Sequence, residues 1–401
     1  MTGPLAGIKV VELAQIMAGP TCGMLLADMG ADVVKVEKLP GGDDTRAYSR
    51  PSVNGESAAF MMLNRNKRGI AVDLKKPGGL AVVKRLLEGA DVVTENYRKG
   101  TLDRLGLSWE VLHALNPRLV YCAISGYGRT GPYADKGGFD LIAQGFAGLM
   151  SITGEPGGAP VKSGSPIADI NAGVFAALGI VSALHARNAT GRGQVVDTSL
   201  MEAAIQQTYW HSAIHLATGE NPGPTGSAHL LTAPYQAFPT ADGWINVGGA
   251  NQSNWERIAK AIGREDLVAD PRFRTNADRM RHLEELTPLV AERLRTRPSS
   301  EWIAEFEALG VPAGPINRIG DMLADPQVAA REMVVDLVHP VAGPTKALGF
   351  PVKFSETPAR VERPSPLLGQ HTREVLAGLG YDDGAIDRLA AEGAVALAPG
   401  T

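Results

Sequence analysis

Short apolar segments alternate with helical ones along the first third of the chain, and this alternation restricts the possible folds more than any other feature. Ile8 to Leu13 and Ala31 to Glu37 have the composition of buried strands, and a helix opens between them at Ala18, with Pro20 in its first turn. Strand–helix–strand spacing of this length favours a parallel pair of strands. Further strands are predicted at Ile70 to Leu74, Asp91 to Thr94, Leu119 to Ser125 and Gln194 to Thr198. The sequence therefore predicts an α/β fold with a Rossmann-like parallel sheet.

Composition and simple motifs exclude several classes of function. The loop after the first predicted strand has one glycine and no GxGxxG, so a dinucleotide-binding fingerprint is absent. The formal net charge of −4 gives no basic field for nucleic acid. The two cysteines, Cys22 and Cys122, supply neither a disulfide framework nor a Cys/His metal site. We therefore expect a metal-free protein of a reducing cytoplasm.

The chain is long enough for two domains, and its composition marks one boundary. Chains of 401 residues usually divide. The N-terminal stretch lacks a basic segment followed by a long apolar run, and no uninterrupted apolar run of about 18 residues predicts a membrane span. Residues 220–228 are rich in Pro and Gly, and a predicted hairpin and several predicted helices follow. A second unit is expected to begin there.

One carboxylate, Asp169, lies where a loop rich in Gly, Ser and Pro meets an apolar helix. Val174, Phe175 and Leu178 recur at helical spacing after it. Two interpretations of Asp169 stay open at this point. An Asp at a helix start commonly caps the helix by accepting a backbone N–H. The same donors keep a carboxylate ionised while an apolar helix limits its hydration, and such a carboxylate can attack an activated acyl group.

Cations cluster in two loops of the predicted sheet. Residues 38–46, KLPGGDDTR, follow the second predicted strand at its carboxyl end, where ligands of open α/β sheets bind. Residues 64–68, NRNKR, carry three cations in five positions. This segment is either a solvated basic turn or a site for phosphate or carboxylate.

Several separated motifs occur in one order along nearly the whole chain. They are AGP at 18–20, GADVVKVE at 30–37, GDDTR at 42–46, NRNKRGIAVDLK at 64–75, ENYRKGTLDRLG at 95–106, TGRGQ at 190–194 and GVPAGP at 310–315. With these motifs the sequence resembles the class III CoA-transferases, the CaiB/BaiF family, which includes formyl-CoA, carnitine and succinyl-CoA:dicarboxylate CoA-transferases. The AH…PYQAF pattern at 228–238 is similar to the succinyl-CoA:dicarboxylate branch.

The resemblance implies an interlocked homodimer of α/β chains. Each chain would have a large Rossmann-like domain that binds CoA, formed by residues 1–224 and 331–401, and a smaller α+β domain at 225–330. Asp169 would be the nucleophile, which forms a mixed anhydride with the donor acyl group and then an aspartyl-CoA thioester. Acyl-CoA and small carboxylic acids would be the ligands, with no further cofactor, no nucleic acid and no membrane. Succinyl-CoA is the expected donor, and a dicarboxylate is the expected acceptor.

The resemblance also assigns binding residues by position. CoA contacts of the family correspond here to Gln15, Ala18, Lys38, Val72, Lys75, Asn96, Tyr97, Arg98 and Arg104. Each cation among them has an alternative as an ordinary surface charge. Arg65 is predicted to hold the second carboxylate of a dicarboxylic acceptor, because a planar guanidinium suits a carboxylate. Asp140 is interpreted as a helix cap or as an acid that orients the surroundings of Asp169.

Three departures from the formyl-CoA transferase pattern count against formyl-CoA and oxalate as substrates. Met17 replaces a glutamine, Gly137 replaces a lysine with Lys136 beside it, and only GGANQ at 248–252 remains of a longer glycine-rich flap. Two other functions stay open. An α-methylacyl-CoA racemase has this fold but needs two proton-transfer groups, and Phe139 occupies the position of one of them, a histidine. A non-catalytic acyl-CoA-binding protein would keep the fold without turnover.

Overall fold

Short strands alternate with helices through the computed structural model, which describes residues 3–398 of the chain. The strands are β1 (Lys9–Leu13), β2 (Asp32–Lys38), β3 (Ser52–Val53), β4 (Glu56–Ser57), β5 (Arg68–Val72), β6 (Val92–Glu95), β7 (Val120–Ser125), β8 (Val195–Ser199), β9 (Tyr235–Pro239), β10 (Trp244–Gly248), β11 (Ala313–Pro315), β12 (Val334–His339), β13 (Gly343–Leu348) and β14 (Val395–Ala396).

Helices connect most of these strands. They are α1 (Ala18–Asp28), α2 (Ala58–Leu63), α3 (Pro77–Glu88), α4 (Thr101–Arg104), α5 (Trp109–Leu115), α6 (Asp140–Phe146), α7 (Ile167–Thr190), α8 (Leu200–Ile205), α9 (Tyr209–Thr218), α10 (Gln252–Ala261), α11 (Asp266–Ala269), α12 (Asn276–Arg281), α13 (Leu283–Leu294), α14 (Ser299–Ala308), α15 (Ile319–Leu323), α16 (Pro326–Ala330), α17 (Thr372–Gly378) and α18 (Asp383–Ala391). Single 3₁₀ turns occur at Asp44–Ala47, Leu149–Ser151 and Gln206–Thr208.

The central sheet has seven strands in the order β14-β5-β2-β1-β6-β7-β8. Neighbouring strands are parallel, except that β14 pairs antiparallel with β5 at one edge. The six parallel strands follow the doubly wound order 3-2-1-4-5-6, and the winding direction reverses between β1 and β6. This sheet confirms the predicted α/β fold. The predicted strands lie within one residue of the observed ones, except that β5 begins and ends two residues before the predicted Ile70 to Leu74.

Long runs of buried residues show that the sheet is covered on both faces. β7 has five consecutive buried residues, Val120 to Ile124, which is the pattern of a parallel strand between two helical layers. Charged residues are buried in the sheet as well: Glu12 in β1, and Lys35 and Glu37 in β2. Buried charges require partners, and these residues form ion pairs at the carboxyl ends of the strands.

The chain divides into two units. The larger one takes in the chain up to Leu149, Ser163–Thr208 and the chain from Pro326 onward, and it contains the central sheet. The smaller one takes in Met150–Lys162 and Tyr209–Asp325. It has a three-stranded antiparallel sheet in the order β11-β10-β9, which includes the predicted hairpin. Its core includes the buried rings of Trp255, Phe273, Trp302 and Phe306.

Helix α7 packs closely on α1 because the facing side chains are small. A Cβ atom on Gly173 would lie 2.7 Å from the carbonyl oxygen of Ala18, so only glycine permits this approach. By length and composition alone, α7 meets the criteria for a membrane-crossing helix, with a mean hydropathy of 1.8. A core helix of a globular protein meets the same criteria. Uninterrupted apolar runs do not detect α7 in the sequence, because Asn171, Ser182 and His185 interrupt it.

Candidate active site

A cavity of about 390 Å³ in the larger unit lies at the carboxyl ends of β1 and β6. Gln15–Ala18, which follow β1, form one wall, and Asn96–Lys99, which follow β6, form another. The loop that contains Lys136 and Phe139 also lines the cavity, as does Asp169. Ligands of doubly wound sheets bind where the winding direction reverses, and this cavity occupies that position.

Asp169 lies in the first turn of α7, and its side chain does not cap the helix. The helix begins at Ile167, with Pro166 in the N-cap position. Asp169 is therefore the third helical residue, and among residues 3–398 its carboxylate has no hydrogen-bond donor. Burial and, to a smaller extent, the nearby charge of Asp140 together raise the pKa of Asp169 to about 7. The local interpretation of Asp169 as a simple N-cap is wrong, because the helix starts two residues earlier.

Asp140 supplies the cap that Asp169 does not. Its carboxylate accepts hydrogen bonds from the backbone N–H groups of Ala168, at 2.9 Å, and Asp169, at 3.4 Å. It also accepts from the buried Gln144 side chain at 2.7 Å. Asp140 is the first residue of α6 but caps α7, so the two helices are joined at the cavity. The same carboxylate places a negative charge near the nucleophile candidate.

The raised pKa of Asp169 makes the stability of the fold depend on pH. Its folded-state pKa of about 7 lies above the ordinary 3.8. The neutral side chain therefore makes its full contribution to the free energy of unfolding below about pH 3.8, and this contribution is lost as the pH rises through 7. We expect Asp169→Asn, which cannot ionise, to raise the free energy of unfolding by about 1–3 kcal/mol at pH 8 and by much less at pH 5. Urea unfolding at both pH values measures this difference. An equal gain at both would contradict the shifted pKa.

The wall that follows β1 is fixed to the one that follows β6. The backbone N–H of Gln15 donates to the Asn96 amide oxygen at 3.0 Å, and the Asn96 amide nitrogen donates to the Gln15 carbonyl at 2.7 Å. This reciprocal pair brings together two residues that lie 81 positions apart in the chain. Ile16, the next residue, has a φ of +69°, which is rare for a β-branched side chain.

Three exposed cations line the cavity: Arg98, Lys99 and Lys136. The Arg98 guanidinium lies against Gly137, where a Cβ atom would be only 3.2 Å from its Nη2. The ammonium of Lys136 lies 3.7 Å from the centre of the Tyr133 ring. Neither Lys99 nor Lys136 is among the binding residues predicted above. The sequence signal for Lys99 is a cation close behind a predicted strand, as for Arg98, and the signal for Lys136 is its position beside Gly137.

The remaining predicted contacts fall into three groups. Ala18, Tyr97 and Asn96 line the cavity, while Lys38 and Arg104 lie at its edge, paired with Asp44 and Thr101, respectively, which line it. Val72 and Lys75 lie elsewhere in the described chain. Val72 is fully buried in β5 between neighbouring strands, and Lys75 is exposed in the loop before α3. Neither side chain lines the cavity.

Arg65 has a protein partner in place of the predicted ligand. Its Nη2 lies 2.6 Å from the Asp28 carboxylate, and only 3% of the Arg65 side chain is exposed. The Asp28 side chain is fully buried, and it also accepts from Asn66 at 2.8 Å. Arg65 does not line the cavity, and binding an acceptor carboxylate would leave Asp28 buried and unpaired. The geometry therefore corrects the sequence interpretation of Arg65 as an acceptor-binding residue.

No group of three or more His, Cys, Asp or Glu side chains within residues 3–398 could hold a metal ion. Both cysteines are free and buried. The ionisable groups that line the cavity include the carboxylates of Asp169 and Asp44 and the cations Arg98, Lys99 and Lys136.

Comparison with known proteins identifies the family. The model of CoA-transferase family III matches residues 5–372. The succinate–glutarate CoA-transferase of Agrobacterium fabrum is 43% identical over 382 residues, covering 94% of this chain and 96% of that protein. The succinyl-CoA–D-citramalate CoA-transferase of Chloroflexus aurantiacus is 41% identical, covering 95% of this chain and 96% of that protein.

A solved structure agrees with these matches. A CaiB/BaiF family protein from Brucella suis superposes with a TM-score of 0.85 at 41% identity, covering 94% of this chain and all of that one. The matches extend over nearly the whole chain and include both its sequence and its fold. They confirm that this is a transferase whose substrates are CoA thioesters. The chain belongs to CoA-transferase family III, the CaiB/BaiF family.

Proposed function

We propose that this enzyme moves CoA from succinyl-CoA to a dicarboxylate, with Asp169 as the nucleophile. The observation that carries the proposal is the Asp169 carboxylate itself, which lines the cavity at the switch point of the sheet and receives no hydrogen bond from the described part of the chain. A carboxylate with little solvation is a stronger nucleophile than a hydrated one. The names of the two relatives support succinyl-CoA as donor, and glutarate or a similar diacid as acceptor.

The proposed reaction transfers CoA in two halves, and each half passes through a mixed anhydride with Asp169. An oxygen of Asp169 attacks the thioester carbonyl, and CoA leaves as a thiolate while a mixed anhydride forms. The thiolate then attacks the aspartyl carbonyl, which releases succinate with the bridging oxygen and leaves an aspartyl-CoA thioester. The acceptor carboxylate attacks this thioester, and the displaced thiolate attacks the acceptor carbonyl of the second anhydride. The products are the new acyl-CoA and free Asp169.

The three cations of the cavity suit the phosphates of CoA, because guanidinium and ammonium groups form charge-assisted hydrogen bonds with phosphate oxygens. We expect Arg98→Ala to raise KM for the acyl-CoA by about tenfold or more, with a smaller change in kcat. Steady-state kinetics measure this split. Arg85→Ala is the matched control, since Arg85 is exposed and forms an ion pair with Glu88 on the surface. A fall in kcat with an unchanged KM would contradict the assignment.

An apolar surface on the larger unit supports a second copy of the chain as partner. Leu178 on α7 is 62% exposed, and Ile142 and Phe146 on α6 are about half exposed. Clusters of exposed large apolar side chains are typical of interfaces. We propose that this surface is covered in an interlocked homodimer. Analytical ultracentrifugation tests the dimer directly.

We also propose that the protein is cytoplasmic and that residues 225–330 fold as a separate domain.

Transfer of an oxygen isotope tests the proposed function. Glutarate labelled with ¹⁸O in both carboxylates is incubated with succinyl-CoA and enzyme, and the released succinate is analysed by mass spectrometry. Each acceptor leaves one oxygen on Asp169, so label should enter succinate after several turnovers. CoA transfer without label in succinate would contradict the aspartyl route. The absence of transfer to any acid in a panel of mono- and dicarboxylates would favour the racemase or the binding protein.

A further inference from the structure

The backbone of Ile16 is held in an unfavourable conformation at the wall of the cavity. Its φ of +69° lies in the left-handed region, which β-branched residues rarely adopt. Ile16 lines the same cavity as Asp169, between Gln15 and the first turn of α1. A conformation of this kind persists only when surrounding groups enforce it. The contacts of Ile16 therefore show what fixes this wall.

Asp43 enforces the conformation from the loop that follows β2. The N–H of Ile16 donates to the Asp43 carboxylate, at 3.1 Å from Oδ1 and 3.3 Å from Oδ2. Thr45 orients the same carboxylate, because its backbone N–H and its hydroxyl donate to Oδ1 at 2.9 and 2.8 Å. The Asp43 side chain is almost fully buried, so it is not available to solvent or to a ligand.

Lys35 anchors Asp43 to the central sheet. Its ammonium lies 2.9 Å from Asp43 Oδ2 and 3.0 Å from Glu12, and it donates to the Ala14 carbonyl at 2.8 Å. Burial alone would raise the pKa of Asp43, but Lys35 and Thr45 lower it to about 2, so the carboxylate is ionised at neutral pH. Lys35 thus holds the backbone at Ala14, and Asp43 holds it two residues later at Ile16.

Glu12, the other partner of Lys35, also pairs with Lys67, the residue before β5. Lys67 lies 2.9 Å from Glu12 and donates to the Pro20 carbonyl in α1 at 2.9 Å. A Cβ atom on Gly23 would lie within 1.7 Å of the Glu12 carboxylate, so α1 has a glycine where it passes over the cluster. The segment from Ala14 to Pro20 is therefore held at three backbone positions by buried charges. None of these charges comes from Arg98, Lys99 or Lys136.

We propose that Asp43 is a positioning residue for acyl transfer: it holds the Ile16 backbone in the left-handed conformation and thereby fixes the wall that faces an acyl group on Asp169. The inference rests on the proposed function, since it assigns a role in the reaction of Asp169. It concerns the reacting end of the substrate and not the CoA phosphates. Removing the hydrogen bond between Asp43 and Ile16 should therefore lower kcat with little change in the KM for acyl-CoA.

The test is a double-mutant cycle of Asp43→Ala and Ile16→Gly. Asp43→Ala removes the acceptor of the Ile16 N–H. Alone it should lower kcat by about 100-fold, with less than a threefold change in KM for acyl-CoA, because small displacements of a reacting geometry have effects of this size. Glycine adopts a positive φ without strain, so in the Ile16→Gly background the same substitution should lower kcat by less than about fivefold. Equal losses in both backgrounds would overturn the proposal. Asp336→Ala, which breaks an exposed ion pair with Lys346, is the control.

A milder variant covers the case in which Asp43→Ala fails to fold. Thr45→Val removes only the hydroxyl that orients Asp43, and we expect a loss in kcat of about three- to tenfold that Ile16→Gly also suppresses. A crystal structure of the Asp43 variant gives a readout that does not depend on activity. The φ of Ile16 should become negative in that variant, and an unchanged left-handed Ile16 would overturn the proposal. A Thr45→Val loss that Ile16→Gly does not suppress would also overturn it. If the wild-type enzyme transfers no CoA, the proposed function fails, whereas the structural outcome still decides whether Asp43 holds Ile16.

Discussion

Replacement of Asp169 by Asn is expected to lower kcat for CoA transfer by about 10⁴-fold or more, while the protein stays folded and becomes more stable at pH 8. The amide has the shape of the carboxylate but cannot form an anhydride, so the route through a covalent intermediate is lost. The gain in stability follows from removing a poorly hydrated charge whose pKa is raised to about 7. Chromatographic separation of acyl-CoA products measures the rate, and urea unfolding measures the stability.

Two further variants make this result specific. Asp169→Ala should lose activity to the same extent, which excludes residual turnover by a deamidated Asn. Asp140→Asn should keep a larger part of kcat, because its amide oxygen can still accept from the Ala168 N–H at the start of α7. Activity of Asp169→Asn and Asp169→Ala within tenfold of wild type would contradict the role of Asp169.

Replacement of Arg65 by Ala is expected to lower the free energy of unfolding by about 3–5 kcal/mol, because it leaves the buried Asp28 carboxylate without its ion-pair partner. Burial already raises the pKa of Asp28, even with Arg65 beside it. The loss should therefore be larger at pH 8 than at pH 5, where Asp28 can take up a proton more readily. Chemical denaturation at the two pH values measures both effects.

Kinetics of the same variant distinguish a structural role from an acceptor-binding role. If Arg65 is structural, KM for dicarboxylates and monocarboxylates should change by the same factor. Arg85→Ala, which breaks an exposed pair with Glu88, should change stability by less than about 1 kcal/mol. A selective rise in KM for dicarboxylates with unchanged stability would restore the predicted role of Arg65 in binding the acceptor.

The fold could be predicted closely because it depends on local patterns. Each strand of the parallel sheet is a short apolar run between helices, and such runs are visible without knowledge of any contact. The start of α7 was harder to locate. Helical spacing of apolar residues begins after Asp169, whereas the helix itself begins at Ile167, because Asp140 caps it from another helix. A cap supplied from 28 residues away leaves no local signal.

The candidate site could be predicted only in part, for the same reason. Asn96 and Arg98 follow a predicted strand, and the structure places both at the cavity. Arg65 belongs to a conspicuous cluster of cations, but its partner Asp28 lies 37 residues earlier at the end of α1. Composition cannot distinguish a cation that is free to bind a ligand from one that forms an ion pair with an acid distant in the chain. That distinction requires the packing of α1 against the segment before β5.

The most direct test of Asp169 as the nucleophile is to trap its acyl intermediate. Wild-type enzyme is mixed with succinyl-CoA, quenched with hydroxylamine and digested, and the peptide that contains Asp169 is examined by mass spectrometry. We predict a hydroxamate on Asp169, since hydroxylamine attacks both an aspartyl anhydride and an aspartyl thioester, and no such adduct in Asp169→Asn. An enzyme that transfers CoA at full rate but never yields this hydroxamate, or yields it on another residue, would contradict the proposed mechanism.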